Sequence, residues 1–406
     1  MFQDLKTIPL TLRNILAYSF ALALTKAIAL PYIVIFLSNK FNLDVKMIGT
    51  LVGSSLIIGT FCSIYSGYLI DNYGSKRITY LMAVMYAVSY LMIGMAHAVW
   101  QVYLSLIVVN AAYATIGVAI KAMIGDSTTP DERQKVFSLR YTLINIAFGL
   151  GPFLGAYLSQ RTPSLMFMYS GIIAGVTIIL LALRRGDVQS QINRHLSQRL
   201  SMTQVVSLVF SDKRLIYYTL AGLLCSVALR QFPSYLSQYL IKIDAQDIYR
   251  IVNYVMATNS VMIISFQYFL TKRASTYSTM INISVGCLFL GAGIVGFIMS
   301  TAVPIWIASM ILFSIGEMFL IPAEFAVIDK IAPEDHRGSY YAIQNISTFG
   351  GALSPIICGY ILSAFSFPLL MFIALLASVS GSYILYLAGS RARNPYKQEE
   401  AVLQSL

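Results

Sequence analysis

Four ionisable side chains stand inside stretches that are otherwise hydrocarbon. Lys26 sits in "YSFALALTKAIALPYIVIFL" and Arg230 in "LLCSVALRQFPSYLSQYL", while Glu317 and Glu324 share "SIGEMFLIPAEFAVID". A charge at the centre of a bilayer costs about 2.5–3.5 kcal/mol even on the lenient insertion scale, so such residues mark substrate paths and proton relays. A carboxylate away from water favours its neutral form, and a cation brought near it favours the charged one. A lysine or guanidinium in the same cavity holds an anion. Glu317 and Glu324, seven residues apart, fall about 10 Å apart on one face of a helix. Together these groups have the chemistry to exchange a proton for a charged ligand. A static buried ion pair that only fixes helix packing is the other reading of the same residues.

Membrane-crossing helices must position them. Of 406 residues, 57% are hydrophobic and 11% charged, with a mean hydropathy of +0.72; soluble domains carry about 25% charged residues. Twelve apolar runs are long enough to cross the hydrocarbon, which takes about 20 residues. They are Leu12–Leu37, Met47–Ile70, Ile78–Ala96, Val99–Ile124, Phe137–Leu158, Leu165–Leu183, Leu215–Leu240, Ile248–Leu270, Thr276–Ser300, Val303–Ile328, Ser339–Phe365 and Pro368–Ala388. The first exceeds a signal peptide in length and lacks a small-residue cleavage site, so it is expected to be retained. The fold class is therefore an all-α membrane protein. The connections leave no room for a soluble catalytic domain, and no nucleophile–base pair or metal-ligand cluster is visible, so neither an enzyme nor a cofactor is expected. Cys62, Cys225, Cys287 and Cys358 lie inside spans without paired spacing, as small apolar side chains do.

The net charge of +11 is distributed as a membrane protein distributes it. If the N-terminus is cytoplasmic, Lys40, Lys46, Arg161, Lys242 and Arg250 fall outside and Lys26 and Arg230 within spans; the other 21 of the 28 Lys and Arg face the cytoplasm. That asymmetry places both termini inside and argues against nucleic acid as a partner.

The chain also repeats itself. Asp126 and Asp329, Pro130 and Pro333, and Pro152 and Pro355 are each separated by 203 residues, half the chain. Lys26 with Pro31, and Arg230 with Pro233, give the first and seventh spans a cation followed by a proline. The polar segment Arg184–Arg214 divides six spans from six. The expected organisation is an N-terminal six-helix bundle (1–183), a cytoplasmic linker (184–214), a C-terminal bundle (215–389) and a tail (390–406). Two six-span halves are a transporter pattern.

Between the second and third spans stands "GYLIDNYGSKR". A tight turn accounts for Gly74, and orientation for Lys76 and Arg77, but neither accounts for the acid Asp71. Here the chain resembles the major facilitator superfamily, whose loop motif reads G-x-L-a-D-r-x-G-r-k/r; Gly67, Leu69, Asp71, Gly74, Lys76 and Arg77 match, and Asn72 and Ser75 depart. The resemblance implies twelve helices in two pseudo-symmetric six-helix bundles, with Asp71, Gly67, Gly74 and Arg77 in a cytoplasmic latch. Asp126 is a further gating candidate. Arg140 either answers Asp71 or Asp126 or faces lipid phosphates.

In the fifth span, "NIAFGLGPFLGAYL" supplies small residues for close helix packing and a proline kink. Gly151, Pro152 and Gly155 are also similar to the G-P-x-x-G antiporter motif of exporters in this superfamily. Longer pieces resemble an enterobacterial branch of proton-driven exporters of dipeptides and sugars. One departure stands out: drug–proton antiporters often carry an arginine in the fourth span, where this chain has Asn110, with Ala114 in place of a glycine. Proton coupling is then expected at Glu317, with Glu324 as relay.

In that family spans one, four, seven and ten line the cavity, which implies that Lys26, Asn110, Arg230 and Glu317 share it. At 1.5 Å per residue, Lys26 lies about 20 Å above Arg13, Glu317 about 18 Å above Asp329 and Arg230 about 24 Å above Arg214. Tyr32, Tyr113, Asn259, Gln344 and Asn345 are further polar candidates for substrate contact, or helix-to-helix hydrogen-bonding residues. The expected protein is a monomeric, proton-coupled antiporter of a bacterial inner membrane. It would export small polar, anionic or zwitterionic solutes, multidrug efflux included. A proton symporter importing a peptide or sugar is the alternative.

Overall fold

The computed structural model describes residues 9–128, 130–159, 162–183, 212–274, 276–332, 340 and 343–392. The expected linker, apart from residues 212–214, and the expected tail, apart from 390–392, lie outside the described residues. So do the side chains of Asp71 and Asp126.

The described residues form fourteen α-helices: α1 Leu10–Ala29, α2 Ile33–Phe41, α3 Val45–Tyr73, α4 Ser75–Met95, α5 Val99–Asp126, α6 Pro130–Ser159, α7 Ser164–Leu183, α8 Lys213–Leu229, α9 Phe232–Lys242, α10 Ile248–Ala274, α11 Thr279–Met299, α12 Val303–Ile331, α13 Thr348–Ala364 and α14 Leu370–Arg391. Helices are what hydrocarbon demands, since each satisfies its own backbone groups. Among the described residues nine continuous helical segments are long and apolar enough to span a membrane, and the pair α8 and α9, bent by 48°, makes a tenth. The shorter apolar α7 and the more polar α10 complete twelve spans.

Two spans are broken beside their cation. A 3₁₀ turn, Leu30–Tyr32, separates α1 from α2, and Pro31 within it has no N–H to continue the α-helix. The seventh span breaks at Arg230 and Gln231, with Pro233 in the first turn of α9, where its missing N–H is no loss. Loop ends follow local chemistry too. The Asp44 carboxylate accepts the Met47 N–H at the start of α3, and Ser278 does the same for Ile281 at α11. Gly74 alone joins α3 to α4 at φ 85°, a left-handed conformation that glycine adopts without a Cβ penalty.

The chain divides into two compact units. The first holds Met1–Asn193, Pro233–Ile264 and Pro355–Pro368; the second holds Arg194–Phe232, Ser265–Ser354 and Leu369–Leu406. In the first, α1 packs on α6 and α7, α5 on α3 and α4, and α4 on α7. In the second, α11 packs on α12 and α14, and α8 on α14, on α12 and on the 3₁₀ turn Asn345–Ser347. The neighbours of spans one and three thus recur for spans seven and nine.

Small residues set the helix spacing. A Cβ at Gly94 would lie 2.5 Å from Met168, and one at Gly293 would lie 2.8 Å from the Phe313 backbone nitrogen. Close backbone approach of this kind takes the place of the hydrophobic drive that lipid cannot supply.

Candidate functional site

Lys26 lies in the last turn of α1, half-buried. Its ammonium stands 3.7 Å from the centroid of the Tyr113 ring on α5. Among the described residues no carboxylate pairs with it. The neighbouring residue fixes this turn of α1. Thr25 Oγ1 donates to the Leu22 carbonyl at 2.9 Å and lies 3.2 Å from the Tyr86 hydroxyl. The Ser170 hydroxyl on α7 lies 3.0 Å from the Thr25 carbonyl and 2.8 Å from the Met166 carbonyl, its one proton shared between them. Tyr86 in turn meets Tyr90 edge to face, with centroids 4.8 Å apart, and Tyr113 at 6.4 Å. A desolvated cation–π contact contributes roughly 2 kcal/mol, against about 2.5–3.5 kcal/mol for a charge at mid-bilayer. Tyr113 alone does not offset that cost, so the ammonium has capacity for an anion.

Tyr113 also lies within electrostatic reach of Arg140, whose Nε donates to the Ser19 hydroxyl on α1 at 3.2 Å. A second cation, on α6, therefore lies within electrostatic reach of Tyr113.

The small-residue cluster of α6 seats the turn that carries Lys26. A Cβ at Gly151 would stand 2.3 Å from Ala27 Cβ, and one at Gly155 only 2.2 Å from the Ile28 carbonyl oxygen. The Tyr32 hydroxyl donates to the Pro152 carbonyl at 2.7 Å, so this tyrosine joins α6 to the break in the first span. Asn110 is buried and donates from Nδ2 to the Ser55 hydroxyl at 3.1 Å. Its Cβ fills the space that a side chain at Gly59 would need. Asn110 thus knits α5 to α3. Asn259 is half-buried on α10. Gly67 and Asp71 lie in the last two turns of α3, and Arg77, in the first turn of α4, is exposed.

In the second unit the central carboxylate is Glu324. It is 7% exposed and its Oε1 accepts a 2.7 Å hydrogen bond from the buried Tyr386 hydroxyl on α14. Gly222 on α8 makes the room: a Cβ there would stand 3.1 Å from Ser347 and 3.8 Å from Glu324 Oε1. The Gln344 amide donates to the Glu324 carbonyl at 3.4 Å, and Asn345 is exposed at the 3₁₀ turn that follows. Arg230 lies within electrostatic reach of Glu324 but does not pair with it among the described contacts.

Arg230 is exposed, whereas the spacing argument treats it as a buried cation. Its stem packs where a Gly351 side chain would go, its Nε donates to the Ser226 hydroxyl at 3.1 Å, and the helix break releases the guanidinium. Glu317, two turns before Glu324 and beyond Pro322, is half-buried.

Tyr386, Ser226, Tyr86 and Ser260 are absent from the sequence-level candidates. The tyrosines carry no local signal among 27 of their kind; Tyr86 and Tyr90, one helical turn apart, offer the one legible pattern.

Comparison with known proteins agrees with this architecture. The sequence profile of the Major Facilitator Superfamily matches residues 15–352. The chain is 29% identical over 386 residues to YdeE of Escherichia coli (strain K12), an uncharacterized MFS-type transporter, covering 93% of this chain and 95% of that one. It is 24% identical over 362 residues to a Na(+), Li(+), K(+)/H(+) antiporter of Planococcus maritimus, covering 80% of this chain and 83% of the relative. Among solved structures, nucleoside transporter NupG superposes with a TM-score of 0.75 at 13% identity, over 95% of this chain and 100% of that one.

Proposed function

This chain belongs to the major facilitator superfamily, and from that premise we propose that it is a proton-coupled antiporter that exports small organic anions or zwitterions. It is a multi-pass membrane transporter of small molecules, not an enzyme. The observation that carries the finer reading is Lys26, an ammonium inside the first span whose described partner is an aromatic face and not a carboxylate. A cation with no carboxylate partner among the described residues attracts a carboxylate or phosphate on the cargo and repels an alkali metal ion, although one relative is named an antiporter of such ions. That relative's name supports exchange as the mode of transport, and the packing of Gly151 and Gly155 on α1 fits the exporter motif. Glu324, buried on Tyr386 and within reach of Arg230, is the proton carrier in this reading, with Glu317 two turns away in the same helix.

The cycle is alternating access. Cargo binds Lys26 from the cytoplasm. Proton uptake at the acidic pair weakens its hold on a cation and accompanies reset. The protein works as a monomer in a bacterial inner membrane, with both termini cytoplasmic. The test is a metabolite-retention screen: cells with and without the gene, under an imposed inward proton gradient. Selective loss of anionic or zwitterionic metabolites from expressing cells is expected. Retention differences confined to neutral or cationic solutes would refute the substrate class.

A further inference from the structure

Within the first compact unit, pieces of the second sequence half pack against the first half at bare backbone. Gln238 on α9 is fully buried, and its side-chain amide donates to the Pro355 carbonyl on α13 at 3.0 Å and points at the Val45 carbonyl, at the start of α3, at 3.5 Å. Gly49 on α3 faces the same point: a Cβ there would lie 2.1 Å from the Pro355 oxygen and 2.7 Å from Gln238 Nε2. From the other side, a Cβ at Gly359 would lie 2.6 Å from the Val45 oxygen, and the Lys46 ammonium covers the Tyr360 ring at 4.6 Å.

A second seam joins α6 to α10. Pro152 cannot donate to the Phe148 carbonyl one turn earlier, and the hydroxyl of Ser260 on α10 lies 3.2 Å from that oxygen, sharing its one proton between it and the Met256 carbonyl at 3.0 Å. A Cβ at Gly149 would lie 2.8 Å from Ile264 and 3.3 Å from Ser260. The first seam sits at the start of α3, beside the 42–44 connection, which is the outer face in the orientation proposed above; the second joins the middle stretches of α6 and α10.

We infer that Gln238 and Gly49 form the pin of an outer gate, with Ser260 on the freed Phe148 carbonyl as its second catch. The inference rests on the alternating-access reading. The logic is physical: two helices that meet through a glycine and another residue's carbonyl separate without disentangling side chains. One buried amide that bonds two foreign backbones then sets the cost of separation. The Gln238 Oε1 has no hydrogen-bond partner among the described residues, so the pin is held by its donor end alone and can be released.

The test uses full-length protein in intact cells, with the four native cysteines replaced by alanine and Arg230→Cys as reporter. Position 230 lies eight residues inward of Gln238 on the same span. A membrane-impermeant maleimide added outside reads gate opening, and inverted vesicles read the inner route. Gln238→Leu removes the hydrogen bonds, and outside labelling should rise about 5-fold, the population shift from losing one net hydrogen bond. Gly49→Val cannot close and should raise it further, while labelling from the inner side falls. Unchanged outside labelling in both variants, each still labelled from the inner side, would overturn the gate. So would a parent already labelled from outside as fast as Gly49→Val. The readout needs neither cargo nor protons, so it stands or falls apart from the proposed substrate and coupling.

Discussion

The Tyr386 hydroxyl and Glu324 Oε1 meet at 2.7 Å across α14 and α12, with both side chains buried. Tyr386→Phe leaves that oxygen without its donor and should destabilise the protein by about 1–3 kcal/mol. Adding Glu324→Gln removes the charge that needed the donor, so the double variant should lose less than the sum of the singles by more than about 0.5 kcal/mol. Thermal unfolding of the four proteins in detergent reads this cycle. Additive losses would mean the bond contributes nothing.

Proton coupling separates from solute movement in one variant. Glu324→Gln should abolish proton-driven accumulation while leaving solute exchange across the membrane intact; parallel uptake and counterflow assays measure the two. Accumulation at the parental level would remove Glu324 from the proton path. Glu317→Gln, in the half-buried partner, should also abolish accumulation with expression intact.

Lys26 and Tyr113 make a paired prediction. Tyr113→Phe keeps the ring face over the ammonium and should transport near the parental rate. Tyr113→Leu removes a contact of roughly 2 kcal/mol and should weaken substrate affinity about 30-fold, read as a rise in KM. Equal KM values in the two variants would mean that the ring does not serve the cation.

Packing gives a prediction with its own control. Gly155→Ala drives a Cβ to within 2.2 Å of the Ile28 carbonyl and should cost about 3 kcal/mol, with transport lost. Gly117→Ala, with nothing within 4 Å of its Cβ, should gain about 1 kcal/mol from helix propensity. Unfolding temperatures and transport rates of the two variants check this.

The spans were legible because hydrocarbon imposes length and composition directly. The run Val99–Ile124 differs from its helix, Val99–Asp126, by two residues. Boundaries slipped where helices extend past the apolar core: α6 begins at Pro130, seven residues before the apolar run does. The break in the first span was foreshadowed by Pro31. The partners of the charges were not legible. Glu324 finds Tyr386 62 residues away and Asn110 finds Ser55 55 residues away, and no local pattern ties such pairs together. The fifth-span glycines were readable as packing residues, but their contact with Ala27 and Ile28, beside Lys26, exists only in three dimensions.

Proton and cargo flux in proteoliposomes decides the main issue. Purified protein is reconstituted with a pH-sensitive dye inside, a proton gradient is imposed, and anionic, zwitterionic, neutral and cationic solutes are offered in turn. The expectation is that an anionic or zwitterionic organic solute moves uphill as protons move the opposite way, and that Lys26→Ala abolishes both fluxes. Solute and protons travelling in the same direction, or parental rates in Lys26→Ala, would defeat it.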